Sequence, residues 1–189
     1  MSRTAKLSFL LAAIIVASAC TDPAAKLPDY GVIPAFTMTD SQGRSFNQSS
    51  LPGKVWIVDF IYTSCPFECP TMTAKMHKVE QRVKHEKDVG LLSISVDPLH
   101  DTPPVLNQFA HRFGGPTDRW VFLTGTPPTV HLLAYETFHV GDVIGKIEHS
   151  TKFILVDKRS HIRGYYSSYA QDGIPALLKD LAALRRQSS

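Results

Sequence analysis

The sequence is short of three things, and each shortage excludes a class of protein. It has three cysteines in 189 residues, Cys20, Cys65 and Cys69, so it is no disulfide-dense miniprotein. Neither sign of charge is in large excess: 20 Lys+Arg stand against 17 Asp+Glu, a net charge of +3. Arg3 and Lys6 belong to a leader, and without them the balance falls to +1, too little to recruit nucleic acid. No apolar run reaches the roughly 20 residues that cross a bilayer comfortably. The longest, residues 7–19, covers 13. Internal repeats and low-complexity tracts are absent too, which excludes a solenoid. What is present is ordinary globular composition, 43% apolar and 20% charged. About 170 residues remain after the leader, enough for one domain with its own core.

The N-terminus reads as an export signal over residues 1–19. Arg3 and Lys6 form a basic start, residues 7–19 an apolar middle, and Ala17-Ser18-Ala19-Cys20 a cleavage region. That ending fits an A-x-A peptidase site. It also resembles a bacterial lipoprotein box, in which Cys20 carries the lipid. Plain secretion and an uncleaved anchor are the alternatives. The run is apolar on every face, unlike a surface helix of a domain. Residues 20–34, with Pro23, Pro28 and Pro34, read as a tether, and residues 35–189 as the domain. The expected location is therefore outside the cytoplasm and membrane-anchored, at the periplasmic face of a bacterial inner membrane. Cysteine pairs can oxidise there.

Along the domain, strand and helix patterns alternate. Residues 36–46, turning at 41–44, predict a hairpin-like entry. Residues 55–62 and 91–96 are dense apolar runs of the kind found in buried central strands. A helix is expected from Cys69 to about Lys87. Thr102 and Pro103 open another as N-cap and first helical residue, running to about Arg112. A short strand at 120–123 and a helix at 127–137 follow, then two strands at 153–157 and 161–166. Ile174, Leu177, Leu178, Leu181 and Leu184 line one face of a last helix. This order predicts a three-layer α/β domain of thioredoxin type, a central mixed sheet flanked by helices.

The chemistry gathers at Cys65-Pro66-Phe67-Glu68-Cys69-Pro70, between a central strand and the helix after it. Ligands bind at that edge of open α/β sheets. With Cys65 near the N-cap and Cys69 in the first turn, both thiols share a face, their Cα atoms roughly 6 Å apart. A helix N-terminus lowers thiol pKa. A thiolate pair suits Cu(I), zinc or a redox disulfide. A purely structural disulfide here closes too small a loop to constrain the unfolded chain much.

Residues 60–70, FIYTSCPFECP, resemble the metal-binding loop of the Sco/SenC family, thioredoxin-like, membrane-tethered copper proteins of cytochrome c oxidase assembly. Three further segments match in order: residues 95–103, SVDPLHDTP; residues 123–125, LTG; and residues 149–151, HST, leading into Leu155-Val156-Asp157. The resemblance runs from about Gly31 to the end. It implies that Cys65, Cys69 and His149 bind copper, as Cu(I) and/or Cu(II). It implies as partners the copper-bearing subunit of cytochrome c oxidase and a periplasmic copper donor or thiol reductant.

His149 is one of eight histidines and stands just before a strand, in the loop where thioredoxin-like folds approach their cysteines. Thiol oxidoreductases resembling thioredoxin carry a proline there; this chain has Ser150-Thr151, which favours a metal over dithiol exchange. His100 and His139 are the other histidines in loops that reach this edge. Asp97 and Asp101 either tune the site or merely shape the turn before Pro103, while Met72 and Met76 are expected in the core. Two functions stay open: a copper-binding assembly factor, which is no enzyme in the turnover sense, and a thiol-disulfide oxidoreductase acting on the target's cysteines. A thiol peroxidase is disfavoured, because Tyr62 stands three before Cys65 where those enzymes carry threonine.

Overall fold

The computed structural model describes residues 27–140 and 150–187. Its centre is made by the two densest apolar runs. β3 (Val55–Ile61) and β4 (Val89–Ser95) are buried at all seven positions each. They pair in parallel from Val55↔Val89 to Ile61↔Ser95. A strand buried on both faces needs helices or loops over both, and the sequence supplies them. β1 (Thr37–Asp40), β2 (Ser45–Asn47), β5 (Trp120–Thr124), β6 (Lys152–Val156) and β7 (Ile162–Ser167) complete a seven-stranded mixed sheet, ordered β2-β1-β5-β4-β3-β6-β7.

The period-2 alternation of β3 divides the core. Val55, Ile57 and Ile61 point to the layer of α1 (Glu68–Arg82), α2 (Pro103–His111) and α4 (Gly173–Arg185). Trp56, Val58 and Phe60 point to the layer holding α3 (Pro127–His131). Met72 and Met76 are fully buried on the inner face of α1, as expected of core residues. The hairpin, the central strands, the final strand pair and the C-terminal helix match the sequence reading. The thioredoxin-like α/β architecture is therefore confirmed.

Four features differ. The first helix ends at Arg82, well short of Lys87. Arg119 donates to the carbonyls of Val83, Lys84 and Glu86, and Arg185 pairs with Glu86 and Asp88. These distant arginines hold residues 83–88 as a loop, and β4 begins at Val89, two residues early. The third helix is regular only to His131; residues 132–137 widen, and Phe138 N–H reaches back five residues to Leu133 O (2.8 Å). Finally, the stretch read as a tether is docked from Leu27 onward. Arg163 donates to Leu27 O (2.9 Å) and Pro28 O (2.7 Å) while pairing with buried Asp157 (2.8 Å). Tyr30 N–H meets Ile162 O at 2.9 Å, and Asp29 pairs with His161.

Candidate metal centre

β3 delivers the chain to the carboxyl edge of the sheet, and residues 62–67 turn it into α1. The N-cap is Phe67, so Cys65 lies two residues outside the helix and Cys69 is its second residue. The two cysteines thus do not share a helical face, as the spacing alone implied. They meet because the loop folds back: Cys69 N–H, an orphan donor of the first turn, donates to Cys65 Sγ at 3.3 Å. Neither cysteine is in a disulfide, and both are buried, each 3% exposed.

Their environments differ. Burial works against a Cys65 thiolate, yet the backbone N–H groups of Cys69 and Phe67, the Cys69 thiol and the Tyr62 hydroxyl all aim at its sulfur and bring its pKa below the ordinary thiol value. When protonated it has Glu68 Oε2 as acceptor at 3.8 Å. Burial pushes the Cys69 thiol up, and the neighbouring Cys65 and Asp59 push it further, against a donor from the Tyr62 backbone. Tyr62 itself is pushed up to about 12, first by burial and then by its bond to Cys65. One thiol is therefore poised to lose its proton first, with the second beside it.

Asp59 is the residue sequence reasoning missed. It is fully buried on the same face of β3 as Ile57 and Ile61, in the layer of Cys65 and Cys69. Neither carboxylate oxygen has a hydrogen-bond partner among the described residues. Its cross-strand neighbour Ser93 accepts from Trp120 Nε1 (3.0 Å). Burial raises the Asp59 carboxyl to about 7, and a weaker pull from Ser93 does not offset it. The signal was a lone acid inside a run of apolar residues.

Asp97, His100 and Asp101 form the one cluster of three or more potential ligands among the described residues, with donor atoms within 4.8 Å of one another. Asp101 is committed to Thr63, Ser95 and His100, and Asp97 O closes the turn through the His100 and Asp101 N–H groups. Thr102 is the N-cap position of α2 with Pro103 next, as expected. His139 is exposed, its ring on Tyr135 O (3.2 Å). His149 and Cys20 lie outside the described residues. Thr151, two beyond His149, is held by Ser168 N–H (2.8 Å) at the start of β6. Because β6 runs antiparallel to β3, with Ile154 opposite Val58, its start lies at the carboxyl edge from which Cys65 emerges. Phe67 and Leu99 are 74% and 83% exposed, one in the cysteine loop and one in the loop beside it.

A thioredoxin-like sheet with a dithiol at its carboxyl edge defines a class of redox and soft-metal proteins. Within it, the SCO1/SenC family profile matches residues 25–184, and the chain belongs to that family. It is 43% identical over 98 residues to the SCO1 protein homolog of Bacillus subtilis, a match covering 51% of this chain and 50% of that protein. Over 152 residues it is 30% identical to Protein SenC of Rhodobacter capsulatus, covering 77% of this chain and 66% of SenC. A solved SCO1/SenC family lipoprotein from Bacillus anthracis superposes with a TM-score of 0.73 at 32% identity, covering 81% of this chain and 94% of that one. BsSco, described as a cytochrome c oxidase assembly protein with a disulfide switch, superposes at 0.71 with 28% identity, over 86% and 98% of the two chains.

Proposed function

We propose that this protein binds copper through Cys65, Cys69 and His149 and serves the assembly of the binuclear copper site of cytochrome c oxidase. The observation that carries the reading is the buried, reduced cysteine pair at the sheet edge, in a member of the Sco/SenC family. Two adjacent sulfurs, one already surrounded by donors that favour its anion, fit a soft cation. His149 joins them in the reading because its segment, HST, is part of the family resemblance and precedes β6. Two sulfurs and one nitrogen suit Cu(I), and a fourth ligand extends the set to Cu(II). Structural zinc takes four closed ligands, so zinc is the poorer match.

Copper is cargo in this scheme, taken from a periplasmic donor and passed to the copper-bearing oxidase subunit. A lipid on Cys20 holds the domain at the outer face of the inner membrane; the description of the B. anthracis neighbour as a lipoprotein supports this. Among the described residues no helix is long and apolar enough to cross a membrane.

A second reading is favoured by the asymmetry of the thiols. A lowered Cys65 beside a raised Cys69 is also the arrangement of a dithiol that attacks a target disulfide with one sulfur and resolves with the other. The disulfide switch described for BsSco points the same way. Metal content and visible spectrum of the purified protein separate the two. Stoichiometric copper with a thiolate-to-copper band, and transfer to an oxidase copper domain, support the first reading. A metal-free protein with fast disulfide turnover on that domain supports the second and overturns the first.

A further inference from the structure

We propose that Asp101 is the positioning residue of the cysteine loop: a buried carboxylate that fixes where Cys65 sits by gripping Thr63 from a different element. The two central strands end together, and Val96 N–H to Ile61 O (2.9 Å) is the last rung between them. Beyond it they diverge, which opens the edge where the site lies. Thr63 N–H is left at this fork without a strand partner. Asp101 fills the fork. Its Oδ2 accepts from Thr63 N–H (3.0 Å) and Ser95 Oγ (2.6 Å). Its Oδ1 accepts from Thr63 Oγ1 (2.5 Å) and lies 3.0 Å from His100 Nδ1. The residue is fully buried, although it sits in a loop whose tip, Leu99, is among the most exposed apolar side chains.

The anchor is itself held. Asp101 N–H donates to Asp97 O (2.8 Å), and Thr102 O starts α2 by accepting from Leu106 N–H (2.9 Å). Asp97 N–H returns to Ser95 Oγ (3.0 Å), which ties the turn back to the end of β4. Thr63 is two residues before Cys65. The position of the nucleophilic sulfur is thus referenced to β4 and α2 as well as to its own helix. Residues that orient ligands without touching the metal are where geometry is set. This inference rests on the reading of Cys65 as a working thiol. It adds that the loop beside it, residues 97–101, is hydrogen-bonded to it through Asp101, with His100 Nδ1 also 3.4 Å from Thr63 Oγ1.

The test uses the full-length protein, reduced and copper-free in one arm and titrated with Cu(I) alone in the other. Asp101→Asn retains size but supplies one acceptor oxygen and turns an NH₂ toward groups that are themselves donors. Thr63→Val removes only the hydroxyl contact, and Thr63→Ser retains both. The expected result is severalfold faster alkylation of Cys65 relative to Cys69 in Asp101→Asn, a smaller increase in Thr63→Val, and wild-type behaviour in Thr63→Ser. Cu(I) affinity in Asp101→Asn should fall about 10–100-fold with a shifted thiolate-to-copper band, the range found for outer-shell partners. A residue serving only the fold would leave the alkylation ratio and band position unchanged in the folded fraction. Wild-type ratio and band in both Asp101→Asn and Thr63→Val overturn the proposal. Should Asp101→Asn fail to fold, Thr63→Val decides alone. If the wild-type protein takes up no copper, the copper reading fails and the alkylation arm still decides this one.

Discussion

Replacing Asp59 by Asn should stabilise the protein, and by an amount that depends on pH. The carboxyl is fully buried on the central strand with no hydrogen-bond partner among the described residues. Burial lifts it from an ordinary 3.8 to about 7. Between those two values the unfolded chain has released the proton and the folded chain retains it, so wild-type stability falls as pH rises. About three pH units at roughly 1.4 kcal/mol each give a loss of about 4 kcal/mol, complete above pH 7. Asn carries no charge at any pH. Below pH 4 it replaces one neutral buried polar group by another, and the two proteins should be nearly equal. At pH 8 the variant should be more stable by up to about 4 kcal/mol, or about 10 °C in Tm for a domain of this size. Urea unfolding of both proteins, reduced and copper-free, at several pH values from 4 to 8 measures the difference directly. The contributions of other groups, Cys69 among them, largely cancel in the comparison. A difference that stays flat across this range, or a variant less stable at pH 8, would refute the idea that an unpaired carboxylate is buried there.

Other outcomes follow from the same geometry. In the reduced protein, limiting iodoacetamide at pH 7 should label Cys65 before Cys69, because donors around the first sulfur favour its anion while burial and the Cys65 and Asp59 charges disfavour the second; peptide mass mapping reads the order. Arg163→Met should cost about 3–5 kcal/mol by leaving Asp157 buried without its cation, and should free the segment at Leu27 and Pro28, seen as faster hydrogen exchange at Tyr30 and Ile33. Gly90→Ala should destabilise by about 1–3 kcal/mol in thermal unfolding, since a Cβ there would stand 2.3 Å from the Trp56 ring, which is pinned by its N–H to Leu51 O.

The central strands were legible because a strand covered on both faces must be apolar throughout, and residues 55–61 and 91–95 are nearly so. The cysteine motif was legible for a different reason: few chemistries ask for two thiols four residues apart at the end of such a strand. What escaped was decided by partners far away in sequence. The end of α1 depends on Arg119 and Arg185, and the docking of Leu27 on Arg163, none of which advertises its target locally. Asp101 was weighed only as turn former or tuning charge, because its bonds to Thr63 span 38 positions. Asp59 was visible in the string, an acid in a run otherwise apolar. Its meaning required knowing how completely it is buried and that the pull from Ser93 does not offset that burial.

The central claim, a copper site built on the reduced cysteine pair, is tested most directly by titrating the protein with Cu(I) in two states, fully reduced and fully oxidised to the Cys65–Cys69 disulfide. In the proposed site thiolate sulfur is the ligand, and oxidation would remove both anionic donors together. The reduced form should take one copper per chain, with the metal protecting both thiols from alkylation and with His149→Ala weakening the binding. The disulfide form should bind weakly or not at all. Equal affinity in the two states would place copper elsewhere and leave the cysteines as a separate redox centre.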